Sequence, residues 1–143
     1  MLLNELLCNV TSMEDGPESE MIMEAIRDTH SAAHTFKVEV RGIYKLKKSS
    51  EELNYRPFER KLHNKFLLWH GSKSTSVIAT LIEGIRMPAA ESSVGMMFGR
   101  GIYLTDCFSK AASKSMGSNL GVVFLAEAAL GEMHMAYEPD QFA

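Results

Sequence analysis

The chain has few of the features that mark secreted, membrane or nucleic-acid-binding proteins. Its 143 residues include only two cysteines, Cys8 and Cys107, far apart in the sequence, which suits a reducing compartment with free thiols. Basic residues are not in excess, because 15 Lys and Arg face 18 Asp and Glu, so this segment alone should not bind a phosphate backbone strongly. The apolar opening, residues 1–10, is interrupted by Asn4 and Glu5 and has no basic residue. We therefore expect neither a signal peptide nor a membrane span there.

Repeats, low-complexity tracts and nucleotide-binding glycine loops are missing as well. No GxGxxG or Walker pattern occurs, and the "GRG" at residues 99–101 is too short to hold a phosphate group. What the chain does have is 45% hydrophobic and 23% charged residues, the composition of one ordinary globular domain. We therefore interpret residues 1–143 as a single domain.

The first half of the chain predicts one helix and one long strand. After the acidic turn at residues 12–20, Ser19 is a candidate N-cap, and apolar residues recur at helical spacing up to about His30. From Phe36 to Lys47 the period changes to two, which predicts a long strand with one solvated face. The polar stretch at residues 47–64 is expected to be a loop.

The second half predicts alternating short strands and helices. The run "KFLLWH" at residues 65–70 has strand length, and Ser74 or Thr75 can cap a helix that ends at Gly84. Its inward face is expected to be Val77, Ile78, Leu81 and Ile82. A loop at 87–101 precedes a short strand at 101–106, a helix to about residue 116 and a buried strand at 122–130. These elements predict a mixed sheet with few helices, in the α+β class.

His70 is the first candidate site residue. It stands at a strand end and is followed by Gly71 and Ser72, so its imidazole can face a cleft while the backbone approaches a ligand. A packed, hydrogen-bonded core histidine is the simpler interpretation of this fragment alone. A second stretch, "FGRGIYLTD", repeats the design with Tyr103, although such a tyrosine is commonly a half-buried strand residue. Together the two stretches offer one ring for stacking and one for hydrogen bonding.

Several motifs in one order resemble a known family. "LLWHGS", "EGIR", "MMFGRGIYLTD", "SKAASKS" and "FLAEAALGEMH" resemble the catalytic domain of the poly(ADP-ribose) polymerases. "RDTHSAAH", "FKVEVRGIYKL" and "YRPFERKLHNKFLLWHGS" are similar to its DNA-damage-responsive branch, and the likeness runs from about Leu3 to Met135. The resemblance implies a diphtheria-toxin-like ADP-ribosyltransferase fold with mixed or antiparallel sheets and few short helices. It also implies a nuclear location and a role in DNA repair.

The resemblance also implies an activity and a set of site residues. NAD would be consumed, with release of nicotinamide and transfer of ADP-ribose to protein acceptors, and no metal would be needed. His70 would bond the adenosine ribose, the Gly71 backbone the carboxamide, and Ser72 would line the same pocket. Arg86 would reach the adenosine half, and Tyr103 would stack on the nicotinamide. Residues 87–101 resemble the loop that covers the donor.

Some positions depart from the family pattern. A serine that bonds the carboxamide falls at Ala111, and a second stacking tyrosine falls at Lys114. Met96 stands where a tyrosine is usual, and Ala79 replaces a helix glycine. Each lost contact with the ring should weaken binding by about tenfold. The alternative function is therefore a degenerate domain that binds NAD weakly or supports protein contacts.

The resemblance further implies that the catalytic domain is only partly present. The family's catalytic glutamate is expected beyond the last residue, as are the C-terminal strands, while the regulatory helical subdomain and DNA-reading modules are expected outside this chain. We therefore expect the chain alone to be an inefficient enzyme and to meet DNA only through such modules. Glu127 matches a different glutamate and is interpreted as a partnered carboxylate of the sheet.

His30 and His34 form a further histidine pair. Their spacing of four residues would suit a zinc site on a helix, but no Cys or His partners lie nearby in the sequence. The resemblance instead implies a packing element at the end of a helix, and we expect no metal.

Overall fold

The structure, a computed structural model, describes residues 8–88, 96–117 and 120–139. Within these ranges the chain forms four strands and four helices, which confirms the predicted α+β class. In chain order the elements are β1 (Asn9–Ser12), α1 (Pro17–Asp28), β2 (Tyr44–Lys47), α2 (Ser49–Lys61), β3 (Lys65–Ser72), α3 (Ser74–Glu83), α4 (Phe108–Ser115) and β4 (Val122–Ala129). No helix in the described ranges is long and apolar enough to cross a membrane.

The strands form two antiparallel ribbons. β1 pairs with β2 from Asn9 opposite Lys47 to Ser12 opposite Tyr44, and β3 pairs with β4 over eight positions, with Trp69 opposite Leu125. The other edge of β3 is bridged at Trp69 by Thr105. In the part of the chain described, both strand pairs are therefore antiparallel, which agrees with the mixed or antiparallel sheets expected from the family resemblance.

The core lies between β3 and α4. Trp69, Phe108, Ala111 and Ala112 are buried together, and the two aromatic rings meet edge to face with centroids 5.1 Å apart. Ile22 and Ile26 of α1 pack against this cluster. The core thus fixes α4 against the face of β3 that carries Trp69.

Helix α1 is confirmed, but its predicted cap is wrong. The helix starts at Pro17, which suits the first helical position because it has no N–H to leave unpaired. Ser19 lies inside the first turn, where its hydroxyl accepts a hydrogen bond from the Gly16 N–H at 3.0 Å. The serine therefore satisfies the helix start from within, and His30 follows just after the end.

Two predictions for residues 36–64 are wrong. The expected long strand is regular only at Tyr44–Lys47, because β1 offers just four partner residues. The expected loop contains helix α2, Ser49–Lys61. None of its residues is fully buried, and its sequence lacks the apolar stripe by which an amphipathic helix is recognised. Its acidic first turn and basic last turn complement the helix dipole.

The remaining elements are close to their predictions. α3 begins at Ser74 and ends at Gly84, whose φ of 83° favours glycine, but Ile78 and Ile82 of its expected inward face are exposed. α4 starts after Cys107, whose N–H donates to the Thr105 side chain at 3.1 Å. Of the strand predicted at 101–106 only the Thr105 bridge forms. β4 is confirmed, although it is half-buried.

Candidate functional site

His70 lies on β3 next to the core residue Trp69. Because side chains alternate along a strand, the His70 ring points to the opposite face from the Trp69 indole. Its Nδ1 lies 3.0 Å from the main-chain oxygen of Tyr103. A carbonyl only accepts, so Nδ1 carries the proton, and in the neutral ring Nε2 remains an acceptor. The partly exposed imidazole can therefore receive a hydrogen bond from a ligand hydroxyl.

Tyr103 is held by both its backbone and its hydroxyl. The hydroxyl donates to the Gly99 carbonyl at 2.8 Å and accepts from the Phe98 N–H at 3.1 Å. The residue is 41% exposed, so part of it stays open to solvent. The structure thus joins Tyr103 to His70 and anchors the preceding glycine turn, while a shared cleft for the two side chains stays a prediction.

Gly71 is packed so closely that only glycine fits. A Cβ at this position would collide with the carbonyl oxygen of Ala111 and would lie 3.0 Å from the Lys114 Cβ. The closest atoms belong to the backbone of α4, which cannot rotate away. Gly71 is therefore required for the approach of α4 to β3, a role that the sequence analysis did not assign.

The Gly71 amide faces the free edge of β3. Trp69 donates to Thr105 at 2.7 Å and accepts from it at 3.0 Å, and residues two apart in an antiparallel strand direct their amides to the same side. Gly71 therefore points its N–H and C=O towards Tyr103, whose carbonyl is already bonded to His70. Within the described ranges no backbone hydrogen bond joins Gly71 to Tyr103.

Ala111 and Lys114 lie beside Gly71 on the same face of α4, since residues three apart are neighbours on a helix. Ala111 is 2% exposed, and Lys114 is exposed. The structure therefore brings together Gly71 and two of the positions where the sequence departs from the family pattern.

Ser72 and Arg86 are placed differently from the other predicted site residues. Ser72 is buried, with its hydroxyl 3.4 Å from the Lys73 carbonyl. Arg86 is exposed and pairs with Glu83. No hydrogen bond or ion pair among the described residues joins Arg86 to His70, Gly71 or Tyr103. Of the predicted donor loop, residues 89–95 lie outside the described residues.

A polar cluster missed by the sequence analysis surrounds Ser109 at the start of α4. The fully buried Ser109 hydroxyl lies 2.8 Å from His34 Nδ1 and accepts from the Ser31 N–H at 2.9 Å. The Cys107 sulfur lies 3.4 Å from the same hydroxyl, and this hydrogen bond lowers the pKa of the Cys107 thiol despite its partial burial. A buried serine in "CFSKAA" gives no sequence signal beyond its helical register.

The two predicted helix-end histidines belong to this cluster. His30 Nε2 lies 3.2 Å from the His34 carbonyl, and both rings pack against Phe36. These contacts agree with a packing role for both histidines at the end of α1. Among the residues in the described ranges, no group of three or more His, Cys, Asp or Glu is arranged to hold a metal ion.

Glu127 is a partnered carboxylate, as predicted. Its Oε1 accepts from the Tyr55 hydroxyl at 2.8 Å, which ties α2 to β4. Partial burial and this hydrogen bond raise the pKa of Tyr55 to about 12. The carboxylate therefore has a structural partner.

Two cavities of the described chain lie away from His70. One of about 590 Å³ is bounded by α1, β2 and the adjoining turns, and another of about 240 Å³ is lined partly by His30 and Cys107. Neither is lined by His70, Gly71 or Tyr103. The candidate site is therefore an open sheet edge and not one of these two cavities. Its assignment depends on the chemistry of its residues.

Comparison with known proteins identifies similar sequences. Residues 17–143 match the family model "Poly(ADP-ribose) polymerase catalytic domain". The chain is 40% identical over 126 residues to Poly [ADP-ribose] polymerase 1 of Xenopus laevis, covering 85% of this chain and 12% of that protein. It is 35% identical to Poly [ADP-ribose] polymerase 1 of Arabidopsis thaliana, covering 91% and 14%. For Poly [ADP-ribose] polymerase 2-A of Oryza sativa subsp. japonica the identity is 37%, covering 95% and 21%. The chain therefore spans about an eighth to a fifth of these relatives.

Proposed function

Because the chain belongs to the poly(ADP-ribose) polymerase catalytic-domain family, we propose that the protein carrying it transfers ADP-ribose from NAD to protein side chains and releases nicotinamide. The alternative of a degenerate interaction domain is not favoured by the family match. The observation that carries the proposal is the free edge of β3, where Gly71 lies beside His70 and the Ala111 and Lys114 positions of α4, and its amide is directed towards Tyr103.

The Gly71 amide suits a carboxamide. Its N–H can donate to the amide oxygen of nicotinamide, and its C=O can accept from the amide nitrogen. These two hydrogen bonds would fix the orientation of the nicotinamide ring at the strand edge. The Gly71 backbone cannot turn away from the ring, because α4 holds it in place. A fixed ring orients the glycosidic bond for reaction.

We assign the other residues by the chemistry that they can supply. His70 Nε2 would accept a hydrogen bond from a hydroxyl of the adenosine ribose, and Tyr103 would offer its ring to the nicotinamide. Ser72 would line the pocket wall, and Arg86 would reach the adenosine half after leaving Glu83. These two assignments derive from the family resemblance.

The proposed reaction exchanges one bond at the ribose. The bond from C1′ to the ring nitrogen breaks, and its electron pair leaves with nicotinamide. C1′ then bonds to an acceptor oxygen, and a hydroxyl acceptor releases its proton. Positive charge develops on the nicotinamide ribose as the ring leaves. His70, which is assigned to the adenosine ribose, would serve by holding the donor in the orientation that the reaction needs.

The cellular setting is proposed from the same family. We infer a nuclear protein whose partners are acceptor proteins, and we assign any contact with DNA to other parts of the protein. The formal net charge of −3 agrees with this division, because it supplies no surplus of cations for phosphate groups.

The test is a binding and turnover experiment with a matched histidine control. Calorimetry should detect NAD and benzamide, an analogue of nicotinamide, on the protein that carries this chain. His70→Ala should lower the affinity for NAD by about tenfold or more and leave the affinity for benzamide nearly unchanged, because His70 is assigned to the adenosine ribose, which benzamide lacks. His134→Ala removes an exposed histidine and should change neither. Release of nicotinamide from labelled NAD should follow the NAD affinity, and failure of the wild-type protein to bind either compound would refute the proposal.

A further inference from the structure

Lys114 brings a cationic side chain beside Gly71, the residue proposed to bind the nicotinamide ring. Its Cβ is 3.0 Å from the position that a Gly71 Cβ would occupy, and its side chain is exposed, with a flexible four-carbon stem. Among the described residues no carboxylate forms an ion pair with it. No ion pair in the described residues holds the ammonium group, so it can pair with a ligand bound at Gly71.

Ala111 removes a competing donor from the same place. It lies one turn before Lys114, is buried, and has no hydroxyl to offer a carboxamide. Of the groups described at this place, the Gly71 N–H and the Lys114 ammonium can donate to a ring substituent. A cationic donor pairs with a carboxylate more strongly than a neutral donor pairs with an amide.

We infer that Lys114 makes this subsite prefer a pyridine ring bearing a carboxylate to one bearing a carboxamide. The preferred dinucleotide is then the nicotinic acid form. This inference rests on the proposed function, because it takes the ring subsite at Gly71 as given, and it names the substrate class of that site.

The charge of the ring supports the preference. In NAD the pyridinium ring is cationic, so a nearby ammonium repels it. In the acid form the carboxylate neutralises the ring overall and faces the ammonium. The Gly71 carbonyl works in the other direction, since it can accept from an amide but not from a carboxylate. The full charge of the Lys114 ammonium outweighs the partial charge of the Gly71 carbonyl oxygen, so the net preference is for the carboxylate.

The experiment compares the two dinucleotides on the protein that carries this chain. Calorimetry at low salt should give an affinity about tenfold higher for nicotinic acid adenine dinucleotide than for NAD. Lys114→Met keeps the length of the side chain and removes the charge, and it should abolish the preference. Lys110→Met removes an exposed lysine one turn earlier and should retain it. Added salt should reduce the preference of the wild-type protein.

The outcomes separate this inference from the proposed function. If NAD binds at least as tightly as the acid form, or if Lys114→Met keeps the acid preference, the inference is refuted and NAD binding stands. If neither dinucleotide binds, the inference and the proposed function fail together.

Discussion

Gly71→Ala tests the contact between β3 and α4 on which the site depends. The added Cβ would overlap the Ala111 carbonyl oxygen and lie 2.7 Å from its carbon. Overpacking a close contact costs about 1 to 3 kcal/mol. We expect a loss near 3 kcal/mol in the free energy of unfolding, because the obstructing atoms are helix backbone and only movement of all of α4 relieves them.

Urea unfolding followed by fluorescence measures this loss directly. The chain has one tryptophan, Trp69, and its ring packs on Phe108 at the start of α4. With a urea slope of about 2 kcal/mol/M, the midpoint should fall by about 1.5 M. Gly117→Ala is the control, since no atom of the described residues lies within 4 Å of a Cβ there, and it should change stability by no more than about 0.5 kcal/mol. A Gly71→Ala midpoint equal to the wild-type value would refute the packing argument.

Three further changes probe other contacts. Ser109→Ala removes the hydrogen bond that lowers the pKa of Cys107, so alkylation of this thiol by iodoacetamide should slow at neutral pH and its rate profile should move to higher pH; an unchanged profile contradicts the assignment. Tyr55 should ionise near pH 12 by ultraviolet absorbance, and Glu127→Gln should lower that pKa. Since folding raises this pKa, its contribution to stability is present below pH 10 and is lost as the pH rises to about 12; titration near 10 in the folded wild type would show that the bond is absent. Phe108→Ala should cost about 3 to 5 kcal/mol in the free energy of unfolding, because it empties the ring contact of the core, and a cost below 1 kcal/mol would place the core elsewhere.

Local signals in the sequence were sufficient for several elements. The run "KFLLWH" predicted β3, and the helical spacing of Ile22 and Ile26 predicted α1. Gly84 marked the end of α3 because a left-handed residue there favours glycine. The order of the motifs also indicated the family, which the comparison confirmed.

Features that depend on partners distant in the chain could not be predicted. Alternation at residues 36–47 could not show that β1 offers only four partners for pairing. Helix α2 has no fully buried residue, and its sequence, which shows no continuous apolar face, resembled a loop. Periodicity reports the exposure of each face of an element. It does not report the length of the partner strand, and a helix without buried residues gives no such signal.

The candidate site divides in the same way. The sequence by itself was sufficient to select His70, Gly71 and Tyr103 as candidate site residues, because a glycine next to an aromatic or histidine side chain at the end of a strand is a local motif. Only the tertiary structure decided that the Gly71 amide faces a free edge and that Ala111 and Lys114 stand against it. These contacts join residues about forty positions apart, and they arise from packing α4 on β3 around Trp69. No short-range pattern encodes such an approach, since it is the shared core, and not either segment alone, that sets the distance between the helix and the strand.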